Sequence, residues 1–287
     1  MIDFLRFNKL YFFISSLVIG IGLYGVLAYG LVFSIDFTGG TALEYKLSGR
    51  VEESVIRTAF KEEKAKISTL EISENKLTLR STPIDEKQEG RIRAILEKSS
   101  KDVSVTQLRF ETVGPSIGKE TVEKTLIASA VAVLGILLYM TFAFKRLKTG
   151  LAAVAAMLHD FLVLAGTYVL LTHFFDAEID TLFITAVLTT MSFSVHDTIV
   201  VFDKIREYQR ISSAPLSRLA NKALTETMVR SINNSLTIAL MLVPLVLFGG
   251  ETIRFFAAAL LIGTITGTYS SPFVATPLFV FLEKERN

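Results

Sequence analysis

The chain has 287 residues, 51% hydrophobic and 20% charged, and its mean hydropathy of +0.48 is too high for an ordinary soluble domain. Its formal net charge of +2 gives no indication of a nucleic-acid partner. The absence of cysteine excludes a disulfide framework, a thiolate metal site and a cysteine nucleophile. Composition therefore indicates a membrane protein.

Six segments are apolar and long enough to cross a bilayer, which takes about 20 helical residues. In chain order they are residues 10–33, 126–144, 151–175, 182–202, 232–248 and 255–282. The first is far longer than the core of a signal peptide and no cleavage site follows it, so we expect a permanent anchor. The last contains Pro272 and Pro277 and is predicted to be kinked or tilted.

Residues 34–124, between the first two spans, have the sequence pattern of a folded domain rather than of a membrane span. They begin with Gly39-Gly40, which predicts a turn, and continue with an alternating strand pattern and a helical one. A hairpin with its turn at Glu74-Asn75, a second helix and a last strand follow. The order βαββαβ is that of a split-βαβ fold, so we predict a small α+β ferredoxin-like domain outside the bilayer. The fold class is a polytopic α-helical membrane protein carrying that domain, with the other five spans within residues 125–282.

Lys and Arg in the short loops predict the orientation. The loop after the second span carries Lys145, Arg146 and Lys148 without an acidic residue, and residues 203–230 are also basic. Residues 172–180, on the opposite side, contain acidic residues and no Lys or Arg. We therefore predict that both termini, residues 1–9 and 283–287, are cytoplasmic. The domain at 34–124 is then periplasmic or extracellular.

Residues 215–230 form an amphipathic segment, with Pro215 at its first turn. We predict a helix there, separate from the fifth span. It lies either in the cytoplasmic membrane interface or against neighbouring protein, and the pattern favours neither. In the sixth span, Gly263 and Gly267 form a G-x-x-x-G pattern, which predicts a close helix–helix contact.

Polar residues recur at helical spacing in the fourth span and form two neighbouring stripes. One stripe is Thr190, Ser194 and Asp197, and the other is Thr189, Ser192 and His196. A charged side chain in the hydrocarbon core is expensive, so an intramembrane aspartate is a candidate functional residue. We predict that the two stripes form one polar face toward the protein interior or an aqueous cavity, where it lines a path for protons or ions.

Asp197 also has a structural interpretation, as a hydrogen-bond clamp between helices. Asp203 follows only two turns later, so Asp197 is alternatively close to the cytoplasmic interface. Arg230, just before the fifth span, is a candidate electrostatic partner of Asp197. It is equally an anchor whose side chain reaches the cytoplasmic interface. The residues alone leave these alternatives open.

The third span contains a second pair, His159 and Asp160, with fewer polar neighbours, whereas His173 stands at a helix end. The His-Asp pairs match no zinc motif, and no Ser or Thr has a paired base at motif spacing. No glycine-rich phosphate loop is present. We expect no metal, no cofactor and no enzymatic activity, and an ion gradient as the energy source.

Several motifs together are similar to those of the SecF family of bacterial protein-export membrane subunits. They are IDFTGGT (35–41), VGPSIGKE (113–120), LHD (158–160), EID (178–180), SVHDTIVVFDKIRE (194–207), the Arg230 of TETMVRS, FGGE (248–251) and GTITGTYSS (263–271). The resemblance covers nearly the whole chain. The chain departs from the family pattern at His196, where Asn is usual, at Asn233 and Asn234, which replace aliphatic and Thr residues, and at Lys204, which replaces Arg.

The resemblance implies a relative of the proton-driven RND transporters in the bacterial cytoplasmic (inner) membrane. It implies pairing with SecD, docking on the SecYEG channel, and use of the proton motive force to complete translocation of an unfolded preprotein after the SecA motor. YajC and YidC are further implied partners. Asp197 matches the proton-path aspartate of the family and Arg230 its paired arginine, and we add His196 and Asp160 as candidate relays.

Two other functions compete with this interpretation. One is half of a small-molecule transporter driven by proton antiport, although the predicted extracytoplasmic domain is small for that role. The other is a structural subunit of the translocon without energy coupling. Sodium is an alternative coupling ion, because a carboxylate and hydroxyl groups suit either ion.

Overall fold

A computed structural model describes residues 2–73, 75–99, 104–144 and 147–284. The chain divides into two compact units. One is Phe33–Leu126, and the other comprises the residues up to Val32 and from Ile127 onward. Lys145 and Arg146, on which part of the orientation prediction depends, lie outside the described residues.

Phe33–Leu126 contains an antiparallel sheet with two helices, and this confirms the prediction of a small α+β ferredoxin-like domain. Within the described residues the sheet has four strands in the order β2-β3-β1-β4. The elements are α2 (Ile35–Thr38), β1 (Gly40–Leu47), α3 (Glu53–Glu62), β2 (Ile67–Ile72), β3 (Lys76–Ser81), α4 (Glu86–Ser99) and β4 (Val105–Val113).

Alternation along the strands places one sheet face against the helices. In β1, Leu43 and Tyr45 are fully buried, and Leu43 lies opposite Leu79 of β3. Phe60 of α3 and Leu96 of α4 cover that face. The unit therefore has a hydrophobic core of its own.

Two predicted turns lie in this unit. Gly39, with φ of 68°, ends α2, and Gly40, with φ of 122°, begins β1. A Cβ on Gly40 would lie 2.7 Å from the Ser81 carbonyl oxygen, so this position requires glycine. Glu74 of the predicted hairpin turn lies outside the described residues, but β2 and β3 pair up to Ile72 and Leu77.

The described residues contain six helices apolar and long enough to span a membrane, which confirms the predicted count. The first five spans are α1 (Asn8–Tyr29), α5 (Pro115–Phe144), α6 (Leu147–Phe175), α7 (Thr181–Ile211) and α8 (Leu216–Phe248), and a 3-10 turn at Phe4–Phe7 precedes α1. The sixth span consists of α9 (Glu251–Ser270) and α10 (Thr276–Lys284), which a π-helical segment, Ser271–Ala275, joins. Pro272 lies in it and lacks the N–H that a regular α-helix needs there.

The structure corrects the prediction of a separate amphipathic helix at residues 215–230. Leu216–Phe248 is one continuous helix, so that segment is the first part of the fifth span. No glycine or proline interrupts the chain between the two parts, and Thr227 and Ser235 bond their hydroxyls to the backbone of the preceding turn. The apolar face packs on protein: Leu219 and Ala223 are buried.

Two glycine contacts bring spans close together. On α9, Gly263 faces Thr190 of α7, and a Cβ on Gly267 would lie 2.9 Å from the Ser194 Cβ. The prediction of a close helix contact at the G-x-x-x-G pattern is therefore confirmed. Between α1 and α6, a Cβ on Gly22 would lie 2.6 Å from the Cα of Gly166.

Candidate functional site

The two polar stripes of α7 have different surroundings. Thr190, Ser194 and Asp197 are buried, and Asp197 is only 6% exposed. Thr189, Ser192 and His196 lie exposed on the surface of this chain. The burial of the first stripe agrees with the predicted inward polar face, whereas for the second stripe contact with an aqueous cavity or with another protein stays a prediction. Consecutive helical residues point about 100° apart, so the adjacent residues His196 and Asp197 have different surroundings.

Asp197 accepts a hydrogen bond from the hydroxyl of Ser231, on α8. Arg230 precedes Ser231 and interacts electrostatically with Asp197. In the part of the chain that the structure describes, Arg230 is exposed and forms no ion pair or hydrogen bond. The carboxylate therefore has a nearby cation without being locked into a salt bridge.

Asp160, on α6, is the second buried carboxylate, 5% exposed. Its Oδ1 lies 2.9 Å from Nδ1 of His159. Its Oδ2 accepts a hydrogen bond of 2.7 Å from the hydroxyl of Ser270, on α9, and another from Ser194, on α7. Both oxygens of Asp160 are thus hydrogen-bonded, by side chains from three helices.

His159 extends this network to α1. Its Nε2 lies 2.9 Å from the Ser15 hydroxyl, which is 3.3 Å from the hydroxyl of Tyr269. Tyr269 in turn donates to the backbone carbonyl of Tyr11 at 2.9 Å. A hydrogen-bonded chain therefore runs from Tyr269 through Ser15 and His159 to Asp160.

A second set of contacts continues from this chain toward Asp197. The carbonyl oxygen of Ser194 accepts from Thr198 at 3.1 Å and from Ser271 at 3.2 Å. The hydroxyls of Thr198 and Ser271 are 2.9 Å apart. Ser271 is the first residue of the π-helical segment, a type of irregularity frequent at functional sites. Thr198 follows Asp197 directly, but no hydrogen bond joins the two carboxylates among the described residues.

The side chains of this network are carboxylates, an imidazole and hydroxyl groups. Hydroxyl groups both donate and accept, so they adapt to a carboxylate or to a carboxylic acid. No group of three or more His, Cys, Asp or Glu residues in the described ranges is placed to hold a metal ion. Carboxylates and an imidazole are groups that take up and release protons in water near neutral or acidic pH.

Sequence reasoning missed the hydroxyl partners Ser15, Ser231 and Ser270. The only signals were the serines of an otherwise apolar first span and the Ser270-Ser271 pair that ends α9. Asn233 and Asn234, which depart from the family pattern, are exposed. Ser231, two residues before Asn233, is the residue of this segment whose hydroxyl donates a hydrogen bond to Asp197.

Comparisons with known proteins agree on one family. A sequence model described as "Protein export membrane protein SecD/SecF, C-terminal" matches residues 92–285. The chain is 38% identical to the protein translocase subunit SecF of Thermobaculum terrenum, covering 99% of this chain and 95% of that one. It is 37% identical to the SecF subunit of Anaerolinea thermophila, over 99% and 94%.

A solved structure is similar over the whole chain. The crystal structure of SecDF from Thermus thermophilus, described as a translocon-associated membrane protein, matches with a TM-score of 0.82 and 31% identity. The match covers 99% of this chain and 39% of that one. The SecDF of Bacillus subtilis is 31% identical, over 97% of this chain and 38% of its own length. This chain therefore spans about two-fifths of the SecDF proteins.

Proposed function

The chain belongs to the SecF family of protein translocase subunits, and from this premise we propose that, together with SecD, it uses the proton motive force to complete preprotein translocation. The family gives it a role in protein translocation and places it in a membrane as a multi-pass protein. The energy source and the stage of translocation are our proposal.

The observation that carries the coupling proposal is the environment of Asp197. It is buried between membrane-spanning helices, yet its hydrogen-bond partner is a hydroxyl group rather than a cation. A carboxylate held in a close salt bridge would release its proton and keep the charge. Because Asp197 has no such salt bridge among the described residues, we propose that it exchanges a proton.

Arg230 gives this exchange a mechanical consequence. When Asp197 is charged, the guanidinium on α8 is attracted toward α7, and protonation removes that attraction. A ligand shifts a conformational equilibrium by the difference in its affinity for the two states, and here the ligand is a proton. Proton flow through Asp197 would then alternate the arrangement of α7 and α8.

Asp160 and His159 are proposed as the second titratable station. The hydroxyls of Ser194 and Thr198 lie between this pair and Asp197, along one face of α7. His196, on the exposed stripe, is proposed as a relay at the surface that a partner covers. None of these roles needs a bound cofactor.

SecD is the partner that the fused SecDF relatives support, because they carry both parts in one chain. We propose further that the pair acts on the SecYEG channel after SecA, on an unfolded preprotein, with YajC and YidC as accessory partners. We also propose that it lies in the cytoplasmic (inner) membrane with both termini cytoplasmic and the ferredoxin-like unit outside.

The test uses inverted membrane vesicles that contain SecYEG, SecD and either wild type or Asp197→Asn. SecA and ATP start a preprotein across, ATP is then removed, and completion is followed with and without an imposed proton gradient. We expect wild type to complete translocation only with the gradient and Asp197→Asn to lose that response. Asp203→Asn, which neutralises an exposed aspartate of the same helix, is the matched control and should behave as wild type.

Equal gradient-dependent completion by wild type and Asp197→Asn would reject the proton role of Asp197. It would leave the structural-subunit interpretation, which the hydrogen bonding of Asp160 to three helices favours. Replacing the proton gradient with a sodium gradient in the same vesicles distinguishes the two coupling ions.

A further inference from the structure

A pocket of about 340 Å³ lies at one end of the helical unit. Phe144, in its wall, is the last residue of α5, and Thr149 belongs to the first turn of α6. Arg210 stands in the last turn of α7. The pocket is therefore at the depth where the spans leave the apolar core and reach the headgroup layer.

The floor of this pocket is aromatic. Phe144, Phe202 and Phe279 are nearly fully buried and belong to α5, α7 and α10. The ring centroids of Phe202 lie 6.0 Å from Phe144 and 4.9 Å from Phe279. Three spans thus present one apolar surface at the bottom of a pocket whose rim is charged.

Two guanidinium groups of α7 supply that rim. Arg206 is fixed by a hydrogen bond of 3.2 Å from Nη1 to the carbonyl of Ala143. Arg210 forms no hydrogen bond or ion pair within the described part of the chain. Among the described residues no acidic side chain lines the pocket, and Glu207, on the same turns of α7, pairs with Lys204 at 2.9 Å. The lining that the structure describes therefore carries positive charge only.

Further donors converge on the same space. The hydroxyl of Thr149 and the amide of Gln209 line the pocket. Thr149 lies in the first turn of α6, where backbone N–H groups lack helical partners and the helix dipole favours an anion. The cation at Arg210 also suits the carboxyl end of α7. That explanation does not account for Arg206 or for the aromatic floor.

We propose that this pocket binds the phosphate headgroup of an anionic phospholipid. Guanidinium groups bind phosphate by charge-assisted, often bidentate hydrogen bonds, and basic pockets between spans bind anionic headgroups. The phenyl floor suits the glycerol backbone and the start of the acyl chains, which a free phosphate ion does not have. The same helices offer apolar surface for the chains: Leu138 and Phe142 of α5 and Phe281 of α10 are exposed.

The absence of tryptophan from the chain allows a local test. Ile211→Trp places one fluorophore next to Arg210, on a side chain that is 73% exposed and does not line the pocket. Phe142→Trp places one on a side chain that is 83% exposed, near the same end of α5. Each variant is reconstituted with brominated phosphatidylglycerol or brominated phosphatidylcholine, and quenching gives the local preference for each lipid. We expect about a five-fold preference for the anionic lipid at residue 211 and none beyond the bulk ratio at residue 142.

A charge-matched pair of variants assigns the preference to the pocket. In the Ile211→Trp background, Arg210→Gln should reduce the preference for phosphatidylglycerol several-fold. Arg218→Gln removes an exposed arginine that does not line the pocket and should leave the preference unchanged. Equal loss with both variants would reduce the effect to general surface charge and would overturn the proposal.

Native mass spectrometry of the chain without a tryptophan substitution provides a second readout. We expect more retained phosphatidylglycerol than phosphatidylcholine, and less of it after Arg210→Gln. A third arm adds inorganic phosphate to the chain in phosphatidylcholine nanodiscs and measures thermal stability. Stabilisation by phosphate that equals that by phosphatidylglycerol and depends on Arg210 would identify a soluble-anion site. That outcome, or equal lipid preference at residues 211 and 142, rejects the lipid site.

Discussion

Two buried carboxylates, Asp197 and Asp160, differ in how completely the neighbouring side chains satisfy their oxygen atoms. Asp160 has partners on both oxygens, drawn from α6, α7 and α9. Asp197 has one hydroxyl partner and interacts electrostatically with Arg230 without an ion pair among the described residues. A group with few fixed partners changes its protonation state at lower cost than one whose every bond must rearrange. This difference supports the proposal that Asp197 exchanges protons and predicts that Asp160 contributes more to stability.

The first prediction concerns Asp160→Asn. The amide nitrogen places a donor where Asp160 has an acceptor, so at least one of its hydrogen bonds to His159, Ser194 and Ser270 is lost or must be reversed by reorienting the partner. We expect a loss of about 1–3 kcal/mol in the free energy of unfolding, because an unsatisfied buried polar group costs that much. The measurement is unfolding of the purified protein in detergent, by denaturant titration.

Asp197→Asn is the internal comparison for this measurement. Asp197 has one hydrogen-bond partner, the hydroxyl of Ser231, and should lose less stability. If the two variants unfold alike, the difference in hydrogen bonding does not separate a structural from an exchanging aspartate.

At the scale of single residues, the cost of burying a carboxylate in a membrane span identified the two aspartates as candidates, but it did not identify their hydrogen-bond partners. A carboxylate inside a span is expensive enough to be noticed in the sequence alone. Hydroxyl groups give no such signal, because many bond to their own backbone, as Thr185 and Thr189 do with the carbonyl four residues earlier. Only the structure shows that Ser231 and Ser270 point across to another helix.

At the scale of helices, the contact of α1 with α6 depends on the absence of side chains. Gly22 and Gly166 bring the two backbones together, and the Ser15–His159 hydrogen bond belongs to the same pair of helices. Helices in membranes associate by close packing of small residues rather than by a hydrophobic driving force. A single methyl group at this contact should therefore separate α1 from the polar cluster.

The second prediction is that Gly22→Ala destabilises the helical unit by about 1–3 kcal/mol, because its Cβ meets backbone rather than a flexible side chain. Gly20 lies on a different face of the same helix, and a Cβ added there would meet nothing within 4 Å. Gly20→Ala is therefore the control. It should be neutral or stabilising by up to about 1 kcal/mol, since alanine favours helix. Thermal unfolding in detergent measures both, and equal effects would contradict the close contact.

Helix bounds were the least predictable feature at this scale. Hydropathy locates the apolar part of a span, so it missed the start of α5 at Pro115, where charged residues precede the apolar run. It also divided α8, because the amphipathic and the apolar parts have different patterns although the backbone hydrogen bonding is continuous. The hydrophobic pattern of a helix depends on its surroundings, whereas capping residues, glycine and proline determine where it begins and ends.

At the scale of the whole molecule, the two units have separate cores of different chemistry. Phe33–Leu126 encloses aliphatic and aromatic side chains between one sheet face and two helices. The helical unit encloses a polar cluster and exposes its apolar residues, as a membrane solvent requires. The six spans and the βαββαβ order were predictable because they depend on local pattern. The assembly of α1, α6, α7 and α9 around one cluster was not, because it depends on residues far apart in sequence.

The third prediction is that the excised unit, residues 33–113, folds alone, because its core comes from its own residues. Circular dichroism with a cooperative thermal transition is the measurement. A spectrum without a transition would show that the unit needs the spans for stability.

The fourth prediction concerns the pH dependence of that unit. Burial raises the pKa of Tyr45 well above its usual range, and the charge and hydrogen bond of Glu89, 2.9 Å away, raise it further. The folded state then binds the tyrosine proton more tightly than the unfolded state, whose tyrosine titrates near pH 10. Stability from this group is present below about pH 10 and should fall as pH rises above it.

Denaturant unfolding of the excised unit between pH 8 and 11 measures this effect. Tyr45→Phe has no proton to lose and should flatten the dependence on pH, although it removes the hydrogen bond to Glu89. Equal slopes for both proteins above pH 10 would assign the loss of stability to other groups.

The hydrogen bond between Ser15 and His159 has a consequence for biosynthesis. Its two residues are 144 positions apart in the chain. A ribosome adds roughly 5–20 residues each second, so α1 enters the membrane roughly 7–30 s before His159 exists. During that interval the serine hydroxyl lacks its partner on α6 and can bond to its own backbone. Tyr269, its other partner, is made later still, so the contacts of the first span are completed only when the sixth span has been synthesised.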